Sequence, residues 1–346
     1  MRTAPEESIV DGNNWHDPVW RAGADQWITA RLAERGTPVT GPIEQFRVRP
    51  WSVTCRVPTA GGWYWFKANT FHCRYEVRLA EALAGWVPES VPTPVALHPG
   101  RGWLLTADAG TTLREASAQD RATDDAPTRD AALNRWAALL EEYAELQRTL
   151  APRVDAMVAL GVPDQRPTAM PELLDRLLQD PVVRADLGPD RAAAVTAVMP
   201  DVLHWCEELG ADGLPASLQH DDLHDGNVFA STKADQSGRY RFFDWGDASV
   251  AHPFGTLLVA LSAATHTFDL SPGAPELARL RDAYLSGWPG GTAMLRRSAT
   301  LACRVTRISR ALAWSRALDG SALPLDDDIR AAPAEWLAEL TQPDVL

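Results

Sequence analysis

His220-Asp221-Asp222-Leu223-His224-Asp225-Gly226-Asn227 reads as H-x-D-x-x-x-x-N, and Asp244 follows seventeen residues after the asparagine in the apolar run Phe242-Phe243-Asp244-Trp245. Both pieces belong to an island, residues 217–245, where short β-type runs flank an acidic loop. The sequence on either side is helical in pattern. Polar chemistry held between apolar strands is the usual setting of a working site.

The residue types suit phosphoryl transfer. That reaction needs a carboxylate to orient a hydroxyl and accept its proton, and oxygen ligands to fix magnesium on nucleotide phosphates. Asp222 supplies the first. Asn227, carried round by the turn at Gly226, offers a neutral oxygen, and Asp244 the hard anionic oxygen that magnesium prefers. A zinc site on His220 and His224 would need a helix to bring residues four apart onto one face, and Gly226 with the β-type run after it argues against one.

Moving outward, composition narrows the class. The 346 residues, 45% hydrophobic, suffice for a bilobed protein or two packed domains. No stretch approaches the roughly 18 apolar residues of a membrane helix, and MRTAPEESIVDG lacks a signal-peptide pattern, so a cytoplasmic location is expected. Cys55, Cys73, Cys206 and Cys303 show no C-x-x-C spacing and read as packed, reduced thiols. A formal charge of -13 disfavours nucleic acid and anionic membrane as partners and favours a cationic small molecule. Of the 33 basic residues only Lys67 and Lys233 are lysine. Lys233 lies in a polar loop, but Lys67 sits in the apolar run GWYWFKA, which suggests a compact point charge that a planar guanidinium could not replace.

Residues 15–35 have the period of an amphipathic helix closed by Gly36. Runs at 43–49, 52–57 and 62–68 read as antiparallel strands, 74–85 as a helix, and 93–98 and 102–107 as two further strands. After Gly110 the pattern is helical near 128–151, 170–180, 188–209 and 253–340, with 118–130 a charged loop. Within the tail, His266, Asp269 and Asp282 read as ordinary helix-surface residues, and Asp247 reads as a cap of the following turn rather than a metal ligand.

The loop at 220–227 and the strand ending in Asp244-Trp245 resemble the aminoglycoside phosphotransferase family with its choline and homoserine kinase relatives, whose loop reads H-G-D-L-H-x-x-N before a strand ending in D-W. The likeness spans roughly residues 43–290. It implies a protein-kinase-like α/β (α+β) fold: a small antiparallel lobe with one main helix, residues 1–108, then a larger helical lobe, residues 109–346, carrying the catalytic loop and acceptor site. It also implies that Lys67 contacts nucleotide phosphates and that Glu76 is its ion-pair partner, with Glu81 the competing choice. Ser52, in the glycine-free segment 49–53, becomes the phosphate-loop donor, and Thr106 and Ala107 the hinge that reads adenine. His220 and His224 become supports of the loop. Asp221 stands where the family has glycine and Asp225 where it has proline or threonine, so three aspartates within five residues raise the local negative potential. His252-Pro253-Phe254 replaces the usual G-D-P.

The resulting expectation is a kinase using ATP and Mg2+ on a hydroxyl of a small polar molecule, by default an aminoglycoside or amino-sugar, acting as monomer or homodimer. A sugar, choline or amino-acid kinase, a catalytically silent Mg-ATP-binding scaffold and a metal-dependent hydrolase are the alternatives. The hydrolase alone predicts turnover without nucleotide.

Overall fold

Alternation along one central strand explains how the first half of the protein is built. The structure is a computed structural model that describes residues 14–121, 128–230, 239–319, 321 and 323–343. Strands β1 (Glu44–Val48), β2 (Ser52–Thr59), β3 (Gly62–Asn69), β4 (Pro94–His98) and β5 (Trp103–Ala107) form one antiparallel sheet in the order β1-β2-β3-β5-β4. In β3, successive side chains point to opposite faces. Phe66 and Ala68 are fully buried and belong to a cluster with helix α1 (Pro18–Glu34), which contributes Ala24, Ile28 and Leu32 at helical spacing. Lys67, between them, faces the other way, toward helix α2 (Tyr75–Trp86). Asp17 caps α1 by accepting from Val19 N–H at 2.7 Å, and the chain leaves it through Gly36 at φ 72°, a left-handed conformation that suits glycine.

The second half is mainly helical: α3 (Leu113–Arg121), α4 (Arg129–Leu150), α5 (Val154–Ala159), α6 (Met170–Gln179), α7 (Pro181–Ala197), α8 (Met199–Ala211), α9 (Leu257–Phe268), α10 (Pro275–Leu285), α11 (Thr292–Leu318) and α12 (Asp327–Ala338). Among the described residues between α8 and α9 lie four short strands: β6 (Ser217–Gln219), β7 (Val228–Phe229), β8 (Arg241–Phe242) and β9 (Ser249–Ala251). They pair antiparallel as β6 with β9 and β7 with β8. The whole is the bilobed kinase-like architecture expected.

Two boundaries differ from the sequence reading. The expected helix 188–209 is two helices, parted at Val198 with Pro200 in the first turn of α8, and α7 starts earlier, at Pro181, and runs on through a kink at Gly188, φ 71°. The expected loop 118–130 begins as the end of α3; residues 122–127, like Lys233, lie outside the described residues. No helix among the described residues is long and apolar enough to cross a membrane. The four cysteines are free and buried.

Helix α4 positions the site. Its apolar face, including Leu139, Leu140, Tyr143 and Ala144, is buried in the main core. From that face the Tyr143 hydroxyl and the Gln147 amide both donate to the Leu218 carbonyl, at 3.1 and 2.9 Å, while Ser217 Oγ donates to the Gln147 carbonyl at 2.6 Å. Strand β6 is thereby fixed to a buried helix just before the loop at 220–227 begins.

Candidate active site

Antiparallel pairing of β7 with β8 brings the two sequence motifs together. Phe243 N–H donates to the Asn227 carbonyl at 3.1 Å, and His220 Nε2 lies 2.9 Å from the Phe243 carbonyl. His220 is fully buried, its ring 4.7 Å from that of Trp245. Burial pulls its pKa below the ordinary value, against the charge of Asp222, so the ring is neutral and Nε2–H donates to the strand carrying Asp244. Trp245 is buried beside it.

Asp222 sits at the centre of the loop. Its Oδ2 accepts from Asn227 Nδ2 at 3.1 Å and lies 3.5 Å from His224 Nε2, and its Oδ1 is 3.8 Å from Arg310 Nη2. His224 Nδ1 accepts from Gly226 N–H at 2.9 Å and faces Arg114 Nη2 at 3.1 Å. Two donors on Nδ1 leave the proton on Nε2, directed at Asp222. Burial alone would raise the Asp222 pKa, but the His224 contact and the Arg310 charge more than offset it and lower it to about 2. The group is a carboxylate throughout the neutral range. A base this weak orients a hydroxyl by accepting its hydrogen bond and takes the proton only as the oxygen becomes acidic in the transition state.

The three loop aspartates do not share one environment. Asp221 is buried at φ 61°, the left-handed backbone that glycine adopts without strain. Its carboxylate turns into the core, where Ser249 Oγ donates at 2.6 Å and the Gln219 amide donates beside it. Burial, only partly offset by those donors and by Arg310, pushes its pKa to about 6. Asp225 is paired with Arg114, 2.7 Å from Nη2. The expected pooling of three negative charges therefore does not occur: Asp222 alone lines the cleft, because the other two are turned inward or neutralised.

Opposite the loop, Lys67 Nζ lies 2.6 Å from Glu76 Oε2 and 2.5 Å from Asp244 Oδ1. Burial would strip the ammonium of its proton, but Asp244 and Glu76 together hold its pKa above the ordinary lysine value. Glu76 is pushed up by burial and restrained by Lys67; Asp244, though burial opposes it, is held below the carboxylate range by Lys67. Glu76 also accepts from Asn69 Nδ2 at 2.9 Å and, through Oε1, from Trp245 N–H at 3.1 Å. It therefore ties β3, α2 and the residue after Asp244 into one unit. Glu81 is exposed, so the geometry selects Glu76. Asp244 has φ 67° and retains 27 % side-chain exposure, with Oδ2 3.7 Å from Arg47.

A cavity of about 110 Å³ joins these groups, lined by Lys67, Asn69, Asp222, Asp244, Gly246, Asp247 and Arg310, with Trp51 and Trp314 among its walls. Ser52 and the segment Thr106–Ala107 are not among its lining residues. Ser52 closes the 49–52 turn by backbone pairing with Arg49 and is buried, while neighbouring Trp51 enters the cavity wall, its ring 5.2 Å from Trp314 on α11. Thr106 and Ala107 end β5, where Thr106 pairs with Trp65 and Pro94. Among the described residues Asp247 accepts no capping bond from a following turn; its Oδ2 accepts from Arg310 Nη1 at 2.8 Å. The cap of the turn at 253–256 is His252, whose Nδ1 accepts from Phe254 N–H at 3.3 Å and whose Nε2 lies 3.0 Å from buried Asp212. No motif in the sequence marks Arg310, Asn69, Trp51 or Trp314 as a site residue. Only Gly246, next to the D-W pair, carries a local signal: a Cβ there would lie 3.3 Å from Glu76 Oε2 and 3.7 Å from Lys67 Nζ.

Comparison with known proteins fits this geometry. The model of the phosphotransferase enzyme family APH matches residues 67–295, more than half of the chain. The chain belongs to the APH family. This phosphotransferase also shares its fold with solved enzymes of low identity. The GDP and kanamycin complex of an APH(2″) enzyme is 16% identical with TM-score 0.57, covering 91% of this chain and 97% of that one. Choline kinase LicA from Streptococcus pneumoniae is 11% identical with TM-score 0.58, covering 92% and 99%. Ethanolamine kinase from Plasmodium vivax is 12% identical with TM-score 0.59, covering 95% and 90%. No curated protein sequence matches the chain. Family membership makes it a small-molecule kinase, a phosphotransferase acting on a hydroxyl acceptor.

Proposed function

We propose that this phosphotransferase moves the γ-phosphoryl group of ATP to a hydroxyl of a small polar molecule, with magnesium, in the cytoplasm. The observation that carries the reading is one cavity lined by a protonated lysine, an ionised aspartate beside the loop histidines, and a second, partly exposed aspartate.

The residues fit the ion and the nucleotide. Asn227 commits its Nδ2 to Asp222, at 2.9 Å from the backbone carbonyl and 3.1 Å from Oδ2, which leaves its carbonyl oxygen for a cation. Asp244 adds one carboxylate. One carboxylate and one amide oxygen suit an ion that keeps waters and phosphate oxygens in its shell. Magnesium-bound ATP supplies the transferable group and the charge that holds its oxygens. Lys67, kept cationic by Glu76, would bind the phosphates, and Asp222 would orient the acceptor hydroxyl and receive its proton. On this reading residues 1–108 carry the nucleotide side and residues 109–346 the catalytic loop and acceptor side.

The acceptor panel follows from the solved neighbours: aminoglycosides, macrolides, choline and ethanolamine. An aminoglycoside or amino-sugar remains the first candidate. ATP consumption measured with magnesium across that panel should rise with at least one member. Binding of Mg-ATP without acceptor-stimulated turnover across a broad panel would overturn the reading in favour of a silent scaffold.

A further inference from the structure

Arg310 is buried, 5% exposed, on α11, beyond the family-matched segment and outside the loop motifs. Its Nη1 is fully engaged, donating to the Asp221 carbonyl at 2.6 Å and to Asp247 Oδ2 at 2.8 Å. These two bonds fix the plane of the guanidinium. Nη2 makes no hydrogen bond among the described residues; it lies 3.8 Å from Asp222 Oδ1, outside hydrogen-bond reach. The side chain lines the same cavity as Lys67, Asp222 and Asp244. A buried, permanently charged donor is therefore held rigidly beside the nucleophile-orienting carboxylate with N–H capacity unspent.

We propose that Arg310 is a catalytic residue whose Nη2 donates to an oxygen of the phosphoryl group as it passes from nucleotide to acceptor, an inference that rests on the function proposed above. As the acceptor oxygen bonds phosphorus and the bond to the ADP oxygen breaks, ADP leaves with that bonding pair and the hydroxyl proton passes to Asp222. Arg310 is not consumed. Its cation opposes the charge spread over the phosphoryl oxygens, a contribution made in the transition state more than in the ground state. Lys67 lies at the Asp244 end of the cavity and Arg310 at the Asp222 end, so the two cations are placed to hold the group from both sides.

The test uses Mg-ADP with and without aluminium fluoride, a planar stand-in for the group in flight, on the full-length protein. Calorimetry should show that fluoride tightens Mg-ADP binding at least tenfold in the wild type. In Arg310→Met that gain should vanish while Mg-ADP affinity is unchanged, and Arg310→Lys should keep part of it. Should Arg310→Met fail to fold, a crystal structure of the wild-type complex decides: Nη2 at about 3 Å from a fluoride supports the proposal. A full gain retained in Arg310→Met, or Nη2 beyond hydrogen-bond reach of every fluoride, overturns it. Absence of Mg-ADP binding by the wild type would instead sink the nucleotide reading, and the proposal with it.

Discussion

Between residues 217 and 247 the pairing of β7 with β8 brings Asp222, Asn227 and Asp244 together, whereas helix α11 reaches the cavity lined by Asp222 and Asp244 from 63 residues beyond Asp247, with Arg310 and Trp314. The first region is organised by local geometry: a short turn, a two-residue strand pair and a buried histidine that bonds across it. The second is organised by packing, since the apolar residues of α11 sit in the main core and carry Arg310 in with them. Chemistry that depends on local spacing leaves a motif. Chemistry delivered by a packed helix leaves none.

Substitutions in either region put that contrast to the test. In the local region, Asp222→Asn should lower transfer to a confirmed acceptor by roughly 10²–10⁴-fold while nucleotide affinity persists. Steady-state kinetics beside calorimetry check it, and near-normal turnover would remove Asp222 from its role. Lys67→Met leaves buried Glu76 and half-buried Asp244 without their cation. It should cost roughly 3–5 kcal/mol in denaturant unfolding and weaken nucleotide binding sharply; a variant as stable as wild type would show that the ion triad is dispensable.

Asp221 tests where the two regions meet, because its carbonyl accepts from Arg310. Its carboxyl has the ordinary value of 3.8 in the unfolded chain and about 6 in the fold. The folded state thus holds the proton more tightly. The stability this lends is complete below about pH 4 and is lost as pH rises through 6. Asp221→Asn does not titrate, so its stability relative to wild type should improve by up to about 3 kcal/mol between pH 4 and 7. Unfolding curves at the two pH values read this directly, and a pH-independent difference would mean the carboxylate is not held as described. Gly246→Ala should act least, roughly 1 kcal/mol and a few-fold rise in nucleotide KM, since the added methyl presses on the Glu76 carboxylate that holds Lys67. Unchanged KM and melting would show that the close approach there is idle.

These differences also mark what could be read from residues alone. The five-strand sheet, the first helix and the convergence of the loop with Asp244 follow from period, turn chemistry and spacing. The choice of Glu76 over Glu81 did not, because it depends on how α2 is rotated against β3, which packing sets. The acidity of the loop misled for a related reason. Composition counts Asp221, Asp222 and Asp225 alike, yet one left-handed residue turns Asp221 into the core and one arginine on α3 neutralises Asp225. Ser52 was drawn by its hydroxyl, while hairpin register buries it and places Trp51 in the wall. Arg310 was one of 31 arginines with nothing in its neighbours to mark it.

Calorimetric titration of the wild-type protein with ATP, in magnesium and again in excess chelator, tests whether Lys67, Asn227 and Asp244 form a magnesium-nucleotide site beside Asp222. One-site saturable binding in magnesium, at least tenfold weaker in chelator and unaltered by Asp222→Asn, is the predicted result. No saturable binding in magnesium, or equal affinity in both conditions, would contradict it.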